Sequence, residues 1–348
     1  MFDRLRPGYY LLFALVAVQF VLVFLISPTD PWLYLSTDGL TGTLVPAWSL
    51  FPLVWSLGIG IALSRRRVDR PMRAMRMMLH ANRWWLLRCS ILALAIIVFA
   101  RTLTSYKTLI PKLVPFWADP YLVAADRAIF GTDPWRITHA LFGPMGTLVL
   151  DRIYALWFVV MMVCLGWFCF SRNPKLQVRG LLTSFLSWSL LGILGATAFA
   201  SVGPCYYERF YGDPHFAPLM ANLHATHKDH MLLAINTMDW LLAAFGKDEF
   251  GAGISAMPSL HVTIATMCFL ACYSYGRRRW LTVASGLFAA AIFVASVHLG
   301  WHYASDGLVG IAAVVLIWWA TGRFVDRLDA RDQVRRENPS PRFLPATA

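Results

Sequence analysis

The sequence predicts an all-α, polytopic membrane bundle, and three observations carry that prediction. First, 58% of its 348 residues are hydrophobic and only 14% are charged, with a mean hydropathy of +0.55, outside the range of soluble domains. Second, apolar runs of about 16 to 21 residues recur along the chain, the length a helix needs to cross a bilayer. Third, 21 of the 31 Lys and Arg residues fall in a few short segments flanking these runs, which is the signature of membrane topology. The net charge of +12 is therefore a topology signal, and no nucleic-acid partner is expected.

Eight spans follow in order: Tyr9 to Ile26, Leu44 to Leu63, Trp84 to Ala100, Ile153 to Phe170, Gly180 to Ala200, Ser259 to Tyr275, Leu281 to Val297 and Gly307 to Thr321. Helices are required because lipid offers no partner for unpaired backbone amides and carbonyls. The first run follows Arg4 and Arg6 and has no small-residue cleavage site after it, so it reads as an uncleaved anchor. Basic residues flank the first span, follow the second (Arg65 to Arg83), the fourth (Arg172, Lys175, Arg179) and the sixth (Arg277 to Arg279), and then follow the eighth (Arg323 to Arg342). All fall on one side, which the positive-inside rule makes cytoplasmic, with both termini inside. The loop from Pro31 to Thr43 has no Lys or Arg and agrees with an outer placement.

The expected organisation is two N-terminal helices with a basic loop (1–83), a six-helix core (84–322) and a cytoplasmic tail (323–348), the tail irregular because charges and prolines alternate from Asp326 onward. Two long connections, 101–152 and 201–258, fall on the outer side. The first has mixed apolar and charged stretches at Tyr121 to Phe130 and Pro134 to Phe142, suited to short interfacial helices; the second, with Gly203-Pro204 and Asp213-Pro214, is turn-rich and expected to form a rim. The six cysteines lack metal-finger spacing and read as small core residues, with Cys205 alone in a polar loop.

Topology brings Lys107, Ser259, His261, His302 and Asp306 to the same outer side from positions nearly 200 residues apart. Any one of them alone would be an ordinary interfacial or core residue; ionisable residues converging at span ends point to function. His302 and Asp306 are spaced i, i+4, so the carboxylate can orient the imidazole and stabilise its charged form. Pro258 and Ser259 stand where the sixth span begins, with serine a good cap and the first-turn amides a phosphate-binding surface. His224, His227 and His230 with Asp229 are spaced like a metal cluster, but steps of three drift round a helix and a solvated loop is the plainer reading. A transporter is disfavoured because the span interiors are nearly uncharged, Arg88 being the main exception.

Pro258-Ser259-Leu260-His261 and His302-x-x-x-Asp306 resemble the second and third signature motifs of the type 2 phosphatidic acid phosphatase superfamily. Leucine in place of the usual glycine, His302-Tyr303 with Asp306, and Asp126 to Gly131 with Asp133, Pro134 and Trp135 are similar to the branch containing inositol phosphorylceramide synthases. The resemblance covers roughly 101–310. Two departures stand out: Ser296 occupies the place of a phosphate-binding arginine, and the first motif has no faithful copy. Arg70-Pro71 is a cytoplasmic decoy, and the better candidates for phosphate binding are Arg101 and Lys107, for which interfacial snorkelling is the alternative.

The resemblance implies a phosphohistidine route. His302 attacks phosphorus with help from Asp306; Ser259, Lys107 and Arg101 hold the phosphate oxygens; His261 protonates the leaving alcohol and then deprotonates the acceptor. It implies a lipid enzyme with a phospholipid donor and a lipid alcohol acceptor such as ceramide or diacylglycerol, or a lipid phosphate phosphatase acting on phosphatidic acid or a polyprenyl (pyro)phosphate. No metal or other cofactor is required. His298, one turn before His302, and Tyr303 are candidates for lining the substrate site, with packing and the interfacial aromatic belt as alternatives. The active site is expected on the periplasmic, extracytoplasmic or lumenal side, a bacterial inner membrane being the expected location.

Overall fold

The computed structural model describes residues 5–26, 57–247 and 253–337. Among them every regular element is helical. The membrane layer consists of α1 (Arg6–Ile26), α3 (Arg83–Leu113), α6 (Pro144–Phe170), α7 (Pro174–Ser189, continued by a π-helical turn at Leu190–Gly195 and by Ala196–Ala198), α11 (Leu260–Tyr275), α12 (Arg279–His298) and α13 (Ala304–Glu337). Six of these, all but α11, are long and apolar enough to cross a membrane. The predicted span from Leu44 to Leu63 lies largely outside the described residues, of which 57–65 are helical; the loop from Pro31 to Thr43 lies wholly outside them.

α11 is the shortest of the seven at 16 residues, about 24 Å at 1.5 Å per residue against a hydrocarbon layer of about 30 Å. It needs no lipid-facing length because it packs against α6, α7, α12 and α13. Nine of its residues are buried, Val262, Ile264 and Met267 among them. The main apolar core surrounds it, with Phe168, Leu181, Leu182 and Phe185 from α6 and α7 and Ile292 and Val314 from α12 and α13.

Two spans run well past their predicted ends. α3 continues beyond Ala100 for more than three turns to Leu113, tolerating Pro111 in its last turn. α13 continues to Glu337 as a 34-residue helix, which corrects the expected irregular tail as far as that residue. Its charges are not all solvated: Lys175 pairs with Asp326 and Asp329 at 3.1 and 3.0 Å, Leu5 N–H donates to Asp332 at 2.7 Å, and Val325 and Leu328 are buried. Alternating charge on one face concealed a docked face on the other.

A second layer sits over one end of the bundle. It contains α4 (Asp119–Phe130) and α5 (Pro134–Leu141), the short helices expected in the first long connection. The second connection, expected as a turn-rich rim, folds into α8 (Tyr207–Tyr211), α9 (Ala217–Asp229) and α10 (Leu233–Ala243). Leu219, Leu223, Leu232 and Ile235 form its core with Trp135 and Leu299. On the other connecting side lies α2 (Pro71–Ala81), with no buried residue, which carries the basic loop.

Buried carboxylates tie this second layer down. Asp119 accepts from Val202 N–H, Gly203 N–H, Tyr211 Oη and Tyr303 Oη at 2.8–3.1 Å. Burial still pushes its carboxyl above the usual range despite these four donors. Asp151 accepts the Leu233 and Ala234 amides at 2.9 and 2.8 Å, opening α10. Burial alone would raise Asp133, but Arg127 at 2.8 Å and His215 at 3.1 Å outweigh it and hold the carboxyl below the usual range.

Candidate active site

The catalytic candidates come from two helix starts that face each other. At α11, Ser259 is the N-cap, its hydroxyl accepting from Val262 N–H at 3.4 Å, so Pro258 stands before the helix and not in its first turn. At α13, Asp306 reaches back to the Tyr303 amide at 3.0 Å, the capping-box geometry. The next two amides, Ala304 and Ser305, donate to Asp126 of α4, both at 2.8 Å. The two starts are joined directly, Ser259 N–H donating to the Asp306 carbonyl at 3.3 Å.

Between α12 and α13 the chain turns at Gly300, with φ +75°. The Trp301 and His302 amides both donate to the Ser296 carbonyl, at 3.0 and 3.1 Å, which fixes His302 at the end of α12. Gly203 lies against this turn; its φ is +86°, and a Cβ there would stand 2.6 Å from the Trp301 carbonyl oxygen. Only glycine satisfies both the backbone angle and the approach.

His302 Nδ1 lies 2.9 Å from the Ala256 carbonyl oxygen and 3.5 Å from Asp306 Oδ2. Both neighbours are acceptors, so Nδ1 carries the proton and Nε2 keeps the lone pair. The ring is thereby held in the tautomer that a nucleophilic Nε2 requires. His261 approaches it with ring centroids 5.8 Å apart. The His261 ring is itself wedged between Tyr154 and Trp157 at 4.6 and 4.2 Å, and its carbonyl accepts from Trp157 Nε1 at 2.9 Å.

His302, His261 and Lys107 line one cavity of about 420 Å³ between α3, α6, α7 and α11. Lys107 is the only lysine or arginine on its wall among the described residues. Trp301 also lines it, and its Nε1 has no hydrogen-bond partner among the described residues. Nothing in its local sequence distinguishes a cavity-facing tryptophan from a lipid-facing one.

Other sequence-nominated residues lie elsewhere. Arg101 is buried but is not on the cavity wall, since six residues turn it roughly 120° round α3 from Lys107. Ser259 is fully buried as a cap and also off the wall. His298 does not line the cavity: its Nε2 meets Thr147 Oγ1 at 2.8 Å, its Nδ1 meets Thr138 Oγ1 at 3.1 Å, and its ring stacks on His139 at 4.0 Å. It is a packed polar junction between α12, α5 and α6. Tyr303 points away from the cavity and donates to Asp119 at 2.9 Å. Ser296 is fully buried, its hydroxyl donating to the Phe293 carbonyl at 2.8 Å, so it offers nothing where the resemblance expects an arginine. Among the described residues no group of His, Cys, Asp or Glu is arranged to hold a metal ion; His227 instead accepts the Leu232 amide at 3.0 Å. All six cysteines are free thiols.

Two histidines thus meet on the wall of an apolar cavity in a polytopic helical bundle, with a buried carboxylate behind one of them. The PAP2 superfamily model, that of the type 2 phosphatidic acid phosphatases, matches residues 121–320, more than half of the chain, and the protein belongs to that superfamily. It is therefore an enzyme of the phosphatase and phosphotransferase class. No curated protein and no solved structure matches the chain significantly.

Proposed function

We propose that the protein transfers a phosphoryl head group, phosphoinositol-like, from a phospholipid to a lipid alcohol such as ceramide or diacylglycerol at the non-cytoplasmic face. The observation that carries this reading is the His302 ring, its Nδ1 between the Ala256 carbonyl and Asp306 and its edge in the same cavity as His261 and Lys107. In the first half-reaction His302 Nε2 attacks phosphorus, the bond to the departing lipid oxygen breaks, and His261 gives that oxygen a proton. The imidazolium formed at His302 is stabilised by Asp306. Lys107, the Trp301 Nε1–H and the first amides of α11 hold the equatorial phosphate oxygens, where charge accumulates. In the second half, His261 takes a proton from the acceptor alcohol, whose oxygen bonds to phosphorus as the P–N bond to His302 breaks.

The side is argued from charge: every basic cluster flanking a span falls opposite the helix ends that carry His261 and His302. Hydrolysis is the competing outcome and shares the first half-reaction. The aromatic and aliphatic walls around His261, Trp157, Leu260 and Trp301 among them, favour an alcohol delivered by a lipid over water. The test is purified protein in liposomes, given a panel of lipids labelled in the head-group phosphate, with and without ceramide or diacylglycerol. The expected results are label trapped on His302 and a new lipid product that depends on the alcohol. Free phosphate as the sole product would refute transfer, and full turnover by His302→Ala on every lipid would refute the mechanism.

A further inference from the structure

The chemistry at His302 makes no use of the basic segment that leads into α3. From Arg65 to Arg83 it carries seven arginines against one acid, Asp69. Among the described residues no carboxylate pairs with Arg65, Arg66, Arg67, Arg70, Arg73 or Arg76; the ion pairs lie elsewhere. Within this segment α2 sorts its side chains by face. Arg73, Arg76 and His80 stand at i, i+3 and i+7, and Met72, Met75 and Leu79 repeat that spacing one residue earlier, with Met78 beside them. A basic stripe and an apolar stripe therefore run side by side along the helix. The apolar stripe is not packed on the protein: α2 has no buried residue, Met72 is 72% exposed, and Met78 and Leu79 are exposed as well.

The helix is held at the level of the membrane surface. Only Arg66 to Arg70 separate it from the helical residues 57–65, and Asn82 alone separates it from α3. Asn82 Nδ2 donates to the Met78 carbonyl at 2.7 Å, and its Oδ1 accepts from Arg172, in the connection between α6 and α7, at 2.9 Å. Arg172 also covers the Trp85 ring at 4.7 Å, and Arg83 covers the Trp84 ring at 5.4 Å. Such pairs of indole and guanidinium suit the boundary between hydrocarbon and head groups. From Arg83 to Lys107 α3 rises about 36 Å, more than the ~30 Å hydrocarbon layer, so α2 lies at the bilayer surface opposite the one where Lys107 meets the histidines.

We propose that α2 lies flat in that surface as a docking site for anionic phospholipids, its methionines and Leu79 set among the upper acyl carbons while Arg73 and Arg76, with Arg65, Arg66, Arg67 and Arg70, gather the phosphate head groups. Charge and polarity together select the occupant. An acidic soluble partner would satisfy the arginines and leave the methionines in water, whereas a membrane surface satisfies both stripes. A zwitterionic head group brings its own positive charge to the arginines; an anionic one neutralises them, at roughly 5-fold in affinity for each arginine near the surface. α2 precedes the family-matched residues 121–320, and the contact does not depend on the reaction at His302. The protein thereby meets lipid in two ways, a reacting molecule in one leaflet and a non-reacting anionic one in the other.

The test is hydrogen–deuterium exchange of the full-length protein in nanodiscs of phosphatidylcholine, alone or mixed with increasing fractions of phosphatidylglycerol, read on the amides of 71–81. Phosphatidylglycerol is expected to slow exchange there by about 10-fold or more, and the effect should vanish in about 1 M salt, where charges are screened within about 3 Å. Arg73→Gln combined with Arg76→Gln should weaken the apparent affinity for phosphatidylglycerol roughly 30-fold. Arg65→Gln combined with Arg66→Gln serves if that variant does not fold. Met72→Gln combined with Leu79→Gln should speed exchange in both lipid mixtures. Equal exchange at 71–81 with and without phosphatidylglycerol would overturn the proposal, as would slowing that survives both pairs of arginine substitutions. Slowing confined to peptides around His261 and His302 would mean that the lipid binds as a substrate only, and protection of α2 that rises with protein concentration in detergent would mean that a second copy covers it; either result overturns the proposal.

Discussion

Asp126 is not on the wall of the large cavity that His261 and His302 share, and its hydrogen bonds go to backbone amides, yet the site depends on it. Its two carboxylate oxygens take the Ala304 and Ser305 amides, both at 2.8 Å and both buried, and the same turn of α13 carries Asp306. Asp126→Ala leaves two buried amides at the start of α13 without acceptors, at about 1–3 kcal/mol each. Part of this is offset, because burial already raises the Asp126 carboxyl and the two amides pull it only partly back. A net loss of about 2–4 kcal/mol of stability follows. The kinetic effect is separate: a shift of about 1 Å in the turn that orients Asp306 against His302 would cost roughly 100-fold in turnover. The assay is turnover per folded molecule, with folded protein isolated by gel filtration and stability followed by thermal unfolding. Asp151→Ala is the control, since Asp151 also takes two amides but opens α10 and holds no part of the turn that carries Asp306. Both variants should lose similar stability, and only Asp126→Ala should lose turnover. Equal turnover per folded molecule in the two variants would refute the argument.

Lys107→Met should lower kcat/KM by about 100-fold, as loss of a cation at a charged transition state does, while Arg101→Met lowers the yield of folded protein and leaves turnover per folded molecule near wild type. Steady-state kinetics on the purified variants separates the two. Gly203→Ala combines a left-handed φ with a 2.6 Å approach to the Trp301 carbonyl; a cost of about 1–3 kcal/mol and a lower turnover are expected, measured by unfolding and by rate. Asp133 has a depressed folded pKa through Arg127 and His215, so its stabilising contribution is present above about pH 4, the ordinary carboxylate value, and is lost as pH falls through the folded value. Unfolding temperatures measured across that acid window should fall more steeply for wild type than for Asp133→Asn, and parallel curves would count against the clamp.

The bundle was legible because lipid enforces run length and charge placement, two properties that can be counted along a chain. His261, His302 and Asp306 were legible for a related reason: ionisable residues at span ends have few ordinary uses. Lys107 and Arg101 looked equivalent in sequence, and only the roll of α3, which carries one into the cavity and the other away from it, separates them. His298 shows the limit from the other side. Its neighbours in sequence suggested a site residue, but its partners are Thr138 and Thr147, from helices about 150 residues earlier, and no local pattern announces them. Asp126 stands out only as part of a family resemblance and Asp119 not at all; that each of them holds backbone amides of far later segments is a property of the packed layer alone. The length of α13 is not legible because a helix whose outer face is all charge, with one ion-paired stripe, has the composition of a tail.

The π-helical turn at Leu190–Gly195 sets the phase of everything that follows it on α7. Such a turn contains one residue more than an α-turn, so the residues beyond it are advanced by about 100° relative to an uninterrupted helix. That offset brings Ala196 against Leu103, Tyr106 and Ile110 of α3; past the helix end the Ala200 carbonyl accepts from the Trp117 and Ala118 amides, ahead of the Val202–Gly203 segment that meets Asp119. The extra residue works as a spacer in a gear train: removing it would restore a regular helix and put the two halves of α7 out of mesh, one with α3 and the other with α11.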